Sequence, residues 1–284
     1  MAKKHIVVVL MSLALGCAEA GQGALETPDG DTSETADDVA QQEVSESTDV
    51  GSFDTDDSEQ DIAPEQTIVV SGKSLDIVGQ SPVEGLLVCV FERADLPCGK
   101  SNEEGVYTLP EVPANAEVAL SYHKEGFFPE LIMVRTGSDD LVLPITSAHA
   151  TQQHADIILQ LVDGTENPER GHLGLAVFRQ NANNTYVDMI EGAQFELEPA
   201  GGLGPVYLTG EGLPLPDRSE TSTNARAFVF NVEPGEVVVN LKHDYWKDCD
   251  VGGFGWPADG QASIRMRVVP GYVSAGVLLC IKPQ

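Results

Sequence analysis

The chain has 284 residues, with 45 acidic against 16 basic side chains and a formal charge of −29 at neutral pH. That balance excludes a binder of phosphate backbones, where Lys and Arg must neutralise a dense anionic polymer, so nucleic acid is not an expected partner. No stretch after the first 16 residues has the length and polarity of a membrane-spanning helix.

The chain opens MAKKHIVVVLMSLALGCAEA, with Lys3 and Lys4 ahead of an apolar run from Ile6 to Leu15 and small residues around Cys17. A basic start, a short apolar stretch and a processing site describe a cleaved export signal over residues 1–16, because the run is too short to cross about 30 Å of hydrocarbon. The stretch Leu13-Ala14-Leu15-Gly16-Cys17 resembles the lipobox of bacterial lipoproteins, with Ala14 in place of the usual Leu. The resemblance implies lipidation of Cys17 and anchoring through more than one acyl chain, which lasting attachment requires, since each buried CH₂ contributes only about 0.8 kcal/mol. Ala18 stands where an Asp would signal inner-membrane retention, so the expected location is the bacterial outer membrane, on its periplasmic or its outward side. An ordinary secretory peptide with an incidental cysteine is the competing reading.

Residues 17–65 form the next segment. From Ala18 to Glu65 there are 16 acidic residues and no Lys or Arg, among Ser, Thr, Gly and Gln. Such a stretch buries too little apolar surface to offset its ordering entropy, and its like charges repel, so a disordered acidic tether is expected. The run DTDDSEQD lacks the spaced ligands and turn glycine of a helix-loop-helix calcium site and reads as a solvated spacer. The folded remainder keeps a charge of about −15.

After Pro64 short apolar strands alternate with polar turns. TIVVSGKSLD (67–76), PVEGLLVCVFER (82–93), GVYTLPEV (105–112), AEVALSYHKEG (116–126), FPELIMVRT (128–136) and DLVLPIT (140–146) read as strands, and no convincing amphipathic helix separates them. A β-sandwich over 66–147 follows. Pro82, Val83 and Gly85, then Gly105 and Tyr107, then Val112 and Pro113, and finally Gly126-Phe127 resemble the motifs of the carboxypeptidase regulatory-like domain, a transthyretin-like sandwich. Asn115 takes a place where glycine is usual, which Asn tolerates in left-handed turns. The resemblance implies a noncatalytic accessory module of a fold used by adhesins and structural envelope proteins, and the peptidase domain itself is absent. In an oxidising compartment Cys89 and Cys98 are expected to form a disulfide, and their spacing excludes a C-x-x-C redox site.

A second, diverged sandwich is expected over 155–284. ADIILQLVDG (155–164) reads as its first strand, and ERGHLGLAVFRQ (169–180) parallels VEGLLVCVFER. FVFNVEPGEVVVNLKH (228–243) echoes the turn-then-strand of EVPANAEVALSYHKEGF (111–127), with a long Gly- and Pro-rich insert between the matched pieces. The C-terminal run supplies one or two closing strands. Cys249 and Cys280 are the remaining pair, so the five cysteines divide into one lipid-bearing residue and two disulfides. The fold class is thus all-β, two tandem transthyretin-like or immunoglobulin-like sandwiches behind a tether.

Chemistry is sparse. His243, Asp244, Cys249 and Asp250 are the only local group of metal-ligand types, and a disulfide-bonded Cys249 cannot ligate, so no metal and no cofactor are expected. His149 and His154 fall in the stretch SAHATQQHAD, read as a mobile link. No Gly-x-Ser-x-Gly elbow, His-Glu-x-x-His helix or phosphate loop occurs, and the chain is not expected to be an enzyme. Tyr245, Trp246 and Trp256 share one Gly-rich loop region and are the candidate ligand-binding rings, able to stack on a sugar or anchor a protein; packing under the disulfide is the alternative. The expected role is a noncatalytic anchored envelope protein with β-sandwich modules for interaction or support, its partners the membrane and an envelope protein or polysaccharide. A carbohydrate-binding or adhesin module using the loop rings is the alternative.

Overall fold

A computed structural model describes residues 66–161, 164–180, 186–215, 217–246 and 248–281. The expected leader, the tether and Cys17 lie outside the described residues. The first strands are β1 (Thr67–Asp76), β2 (Leu87–Val90), β3 (Gly99–Lys100), β4 (Val106–Pro113), β5 (Glu117–His123), β6 (Glu130–Arg135), β7 (Leu141–Val142) and β8 (Ser147–His149). A helix, α1 (Gln152–Leu161), precedes β9 (Gly171–Gln180), β10 (Tyr186–Met189), β11 (Gln194–Glu198), β12 (Leu203–Tyr207), β13 (Arg226–Val232) and β14 (Gly235–Lys242). The last strands are β15 (Cys249–Val251), β16 (Trp256–Pro257), β17 (Ser263–Val268) and β18 (Val273–Ile281). The expectation of an all-β fold holds.

The described strands build three sheets. Strands β4, β1 and β7, with β8 also on β1, form the first; β11, β14, β17 and β16 form the third. Between them lies a ten-stranded sheet in the order β12-β13-β9-β18-β6-β5-β2-β3, with β10 beside β9 and β15 beside β18. Its central strands are covered on both faces. Ala119, Leu131, Met133, Leu173, Val177 and Leu278 pack toward the β11-β14-β17-β16 sheet. Val118, Leu120, Ile132, Val134, Ala176 and Val277 pack on the opposite side, in the core shared with β1 and β4. This explains why β5 and β6 are buried almost continuously and do not alternate, the pattern of strands with two covered faces.

β18 holds the wide sheet together. It pairs in parallel with β9 from Val273 to Ile281 and with β6 from Val273 to Ala275. Residues from the two segments that the sequence sets apart, 66–147 and 155–284, are therefore hydrogen-bonded into one sheet. The repeated turn has a matching role in each segment, carrying the chain from one sheet to another, from β4 to β5 and from β13 to β14. Each crossing uses positive φ, at Asn115 (53°) in the first and at Gly235 (137°) in the second.

The Gly-x-Tyr motif has a steric reason. Gly105 sits at φ 74° and its carbonyl accepts a hydrogen bond from the Ser74 N–H at 2.9 Å; a Cβ there would stand 2.3 Å from the Ser74 carbonyl oxygen. Tyr107 is buried and its hydroxyl lies 2.7 Å from that of Tyr122. Cys89–Cys98 and Cys249–Cys280 are both disulfides, the second joining directly opposed residues of β15 and β18.

Two local expectations are corrected. The strand expected from residue 155 is the helix α1: Thr151 Oγ1 caps it by accepting the His154 N–H at 3.2 Å, and Ala155, Ile158 and Leu159 bury one face at helical spacing. A short apolar run such as ADIILQL does not by itself separate a buried strand from a helix, and here the cap decides. The expected mobile link also fails at His149, which is 1% exposed in β8 and bonded through both ring nitrogens.

Candidate functional site

The β1 and β4 layer covers only part of its side of the wide sheet. Over β9, β13 and β18 the cover is α1 and the segment around 145–150, and a cavity of about 110 Å³ remains beneath them. The strand register explains its shape. Gly174 and Ala176 of β9 stand beside Ala275 and Val277 of β18, giving a floor of small side chains at its centre. Phe128, Phe178, Phe228 and Phe230 form the walls, and Ala155, Ile158 and Leu159 of α1 the roof. Gly174, Phe178, Phe228 and Ala275 are only half-buried although each lies inside its strand, and Val273 at the head of β18 is half-buried too, so the crevice opens to solvent.

Three groups that can carry charge line it: Glu130, His172 and Arg226. His172 is 1% exposed and stands edge-to-face with Phe128 and Phe230, at centroid distances of 5.4 and 5.6 Å. Its Nδ1 accepts the Asn231 N–H at 3.1 Å, which places the proton of the neutral ring on Nε2, and that buried atom has no hydrogen-bond partner among the described residues. Burial without a compensating charge pulls its pKa down to about 4.

Arg226 of β13 lies opposite Ala176. It donates to Asn224 Oδ1 at 3.2 Å, and no carboxylate among the described residues pairs with it. Burial holds its pKa below the usual guanidinium value, a sign that the charge sits in a poorly solvated place.

Glu130 is already engaged. Its Oε2 lies 2.7 Å from His149 Nδ1, and His149 Nε2 lies 3.0 Å from Ser147 Oγ. Carboxylate, imidazole and hydroxyl thus stand in the relation of a nucleophilic triad, which the sequence reading did not anticipate; Ser147 and His149 two apart on one strand were the available signal. Ser147 is 1% exposed, and its hydroxyl contacts Ser74 Oγ and the Lys73 carbonyl, both at 3.1 Å. A hydroxyl closed off in this way meets no substrate, and the group serves as a buried polar network. Burial raises the phenols of Tyr107 and Tyr122 beside it well above their usual pKa.

The expected ring cluster divides. Trp256 is 6% exposed; its Nε1–H donates to the Val134 carbonyl at 3.2 Å and the Arg265 guanidinium lies 5.2 Å from its ring centre. Tyr245 is exposed and Trp246 half-buried, packed edge-to-face at 5.0 Å. Trp246 borders a shallow cleft with Met189, Arg179, Asp188, Glu191 and Thr223. His243 organises the loop: Nδ1 accepts the N–H groups of Tyr245 and Trp246 at 2.9 and 3.0 Å, and Nε2 contacts the Glu191 carbonyl. Among the described residues no group of three or more His, Cys, Asp or Glu is placed to hold a metal ion, and no helix is long and apolar enough to cross a membrane.

Fold and site together define a layered all-β body with an apolar crevice and an aromatic loop. No family profile matches the sequence, and no curated protein matches it. Solved structures that align with it include GBS52, the minor pilin of Streptococcus agalactiae, at 12% identity over 77% of this chain and 97% of that one, with a TM-score of 0.27. The shaft pilin SpaA of Lactobacillus rhamnosus GG aligns at 8% identity over 78% of this chain and 99% of that one, with a TM-score of 0.23. The Bacillus anthracis TIE protein aligns at 10% identity over 76% of this chain and 34% of that one, with a TM-score of 0.24. Scores of this size leave the architecture to be read from the strands themselves.

Proposed function

We propose that the chain is a noncatalytic bacterial envelope lipoprotein, held to the outer membrane through Cys17 and carrying its β-body on the acidic segment 17–65. The observation that supports this reading most directly is the cysteine pairing. All four cysteines among the described residues are in disulfides, as suits an oxidising compartment, and the fifth is the residue placed by the lipobox-like stretch. The body then acts as a module for interaction or structural support, with an envelope protein or polysaccharide as its partner.

Metabolic labelling with a clickable palmitate analogue, followed by membrane fractionation, tests the anchor. Labelled protein in the outer-membrane fraction, lost in Cys17→Ser, is the expected result; an unlabelled protein released in soluble form would overturn the anchoring.

A sugar-binding version is the second reading. It rests on Tyr245 and Trp246 beside the cleft of Arg179, Asp188 and Glu191, since Trp256 is built into the core. Titration with purified envelope polysaccharides, with Trp246→Ala as the comparison, decides it: saturable binding lost in the variant supports this version, and binding unaltered by the substitution removes the ring from the account.

A further inference from the structure

We propose that the crevice over β9, β13 and β18 is a binding site for a small apolar carboxylate, a medium-chain fatty acid in chemical class, whose head group pairs with Arg226 and whose chain lies along the floor formed by Gly174, Ala176 and Ala275.

Phe178 and Phe228 keep part of their surface open in a concavity whose walls are almost wholly carbon. Water there finds few partners, and replacing it with a hydrocarbon chain is favourable. The floor keeps the space open. A side chain larger than alanine at Ala275 or Gly174 would fill it, and a Cβ built on Gly174 already meets Val273 Cγ1 at 3.4 Å and Phe228 Cε1 at 3.5 Å.

Arg226 is a half-buried guanidinium that donates to the Asn224 side chain and, among the described residues, pairs with no carboxylate. An incoming carboxylate gains charge-assisted hydrogen bonds in a place of low solvation, where they are stronger than in water. The remaining ionisable groups set the direction of the ligand. Glu130 is on β6, three strand spacings from β13 and so about 14 Å across the sheet, with His149 already bonded to it. A ligand carboxylate is repelled from that bank and drawn to the Arg226 bank.

Arg226 faces Ala176, and the neutral His172 with Phe128 and Phe230 closes the other end, four residues along β9. That run is about 13 Å, which suits an acyl chain of roughly eight to ten carbons with an uncharged end.

The test uses the exported chain carrying Cys17→Ser, so that no detergent competes, titrated calorimetrically with octanoate, octanol and octylamine. Octanoate should bind about tenfold more tightly than octanol, the gain of one charge-assisted pair, and octylamine more weakly than either. Arg226→Gln should bring octanoate to the level of octanol, and Arg226→Lys should restore part of the preference. Ala275→Phe should abolish binding of both, and Ala176→Leu serves the same purpose if the first variant melts early. Equal affinity for octanoate and octanol in the unaltered chain refutes the anion site. Binding that survives in a folded floor variant places the ligand elsewhere, and no binding of octanoate at millimolar concentration refutes the proposal entirely.

Discussion

His172 makes the stability of the body depend on pH in a way that can be isolated. Two phenylalanine rings stand edge-to-face with it and a backbone N–H donates to its Nδ1, while no carboxylate among the described residues bonds it to offset the burial of an imidazolium. Its pKa falls from 6.5 in the open chain to about 4 in the folded one. Because the folded value is depressed, the folded state binds fewer protons between those two values. Stability is therefore complete above pH 6.5, declines as pH falls through the interval, and loses nothing more from this residue below pH 4. The full interval corresponds to about 3 kcal/mol, of which about 2 kcal/mol is gone by pH 5. The assay compares urea denaturation of the unaltered chain and His172→Asn from pH 8 to pH 4. Asn offers an oxygen where Nδ1 accepts the Asn231 N–H. Its smaller volume lowers stability by an amount that does not vary with pH. His123 and His154 are also held below their usual pKa by burial, but they are common to both proteins and cancel in the difference. The gap between the two proteins should narrow by about 2 kcal/mol between pH 8 and pH 5. A gap that stays constant over that range would show that the ring is solvated or partnered, and the argument from burial would fail.

The other predictions concern packing and crosslinks. Replacing Cys249 and Cys280 by alanine should cost more than replacing Cys89 and Cys98, because the separations are 31 and 9 residues and the chain-entropy estimates about 3–4 and about 2–3 kcal/mol. Core packing around the buried Cys280 widens that gap, and equal losses of stability in urea would count against it. Gly105→Ala should destabilise by at least about 2 kcal/mol, whereas Gly137→Ala, where a Cβ meets nothing within 4 Å, should stay within about 0.5 kcal/mol. Thermal melts of the two variants side by side check this, and similar melting temperatures would refute the steric account. His149→Phe should cost about 3–5 kcal/mol by leaving the Glu130 carboxylate buried without its partner, and the double change with Glu130→Leu should recover much of it. A double variant no more stable than the single one, by the same denaturation assay, would show that the pair is not coupled.

Much of the first segment was legible because strand signals are local. The alternation of TIVVSGKSLD marks β1 to the residue, and Gly105, Tyr107 and the turn at Asn115 can be recognised from the backbone each position demands. Local signals end at α1, where Thr151 and the spacing of Ala155, Ile158 and Leu159 outweigh a run that also suits a strand. The wide sheet was not legible at all, since its joining contacts place β18 between strands that end near residues 135 and 180. The crevice escaped for a related reason. Gly174, Ala176 and Ala275 signal only small size, and whether small size means tight packing or open space depends on what lies above them. Arg226 reads in sequence as an ordinary strand charge; that no carboxylate among the described residues pairs with it is a property of the assembled sheet.

The place of β18 has a consequence in time. A chain that emerges from a ribosome or an export channel in sequence order delivers β6 long before β18, roughly 140 residues later. Until then β6 offers an open row of N–H and C=O groups, and β9 does the same once it arrives. Such edges invite pairing between neighbouring molecules. Residues 18–65, with 16 acidic side chains and no Lys or Arg, precede β1 in the sequence, so negative charge is on the chain before either edge forms and opposes that encounter.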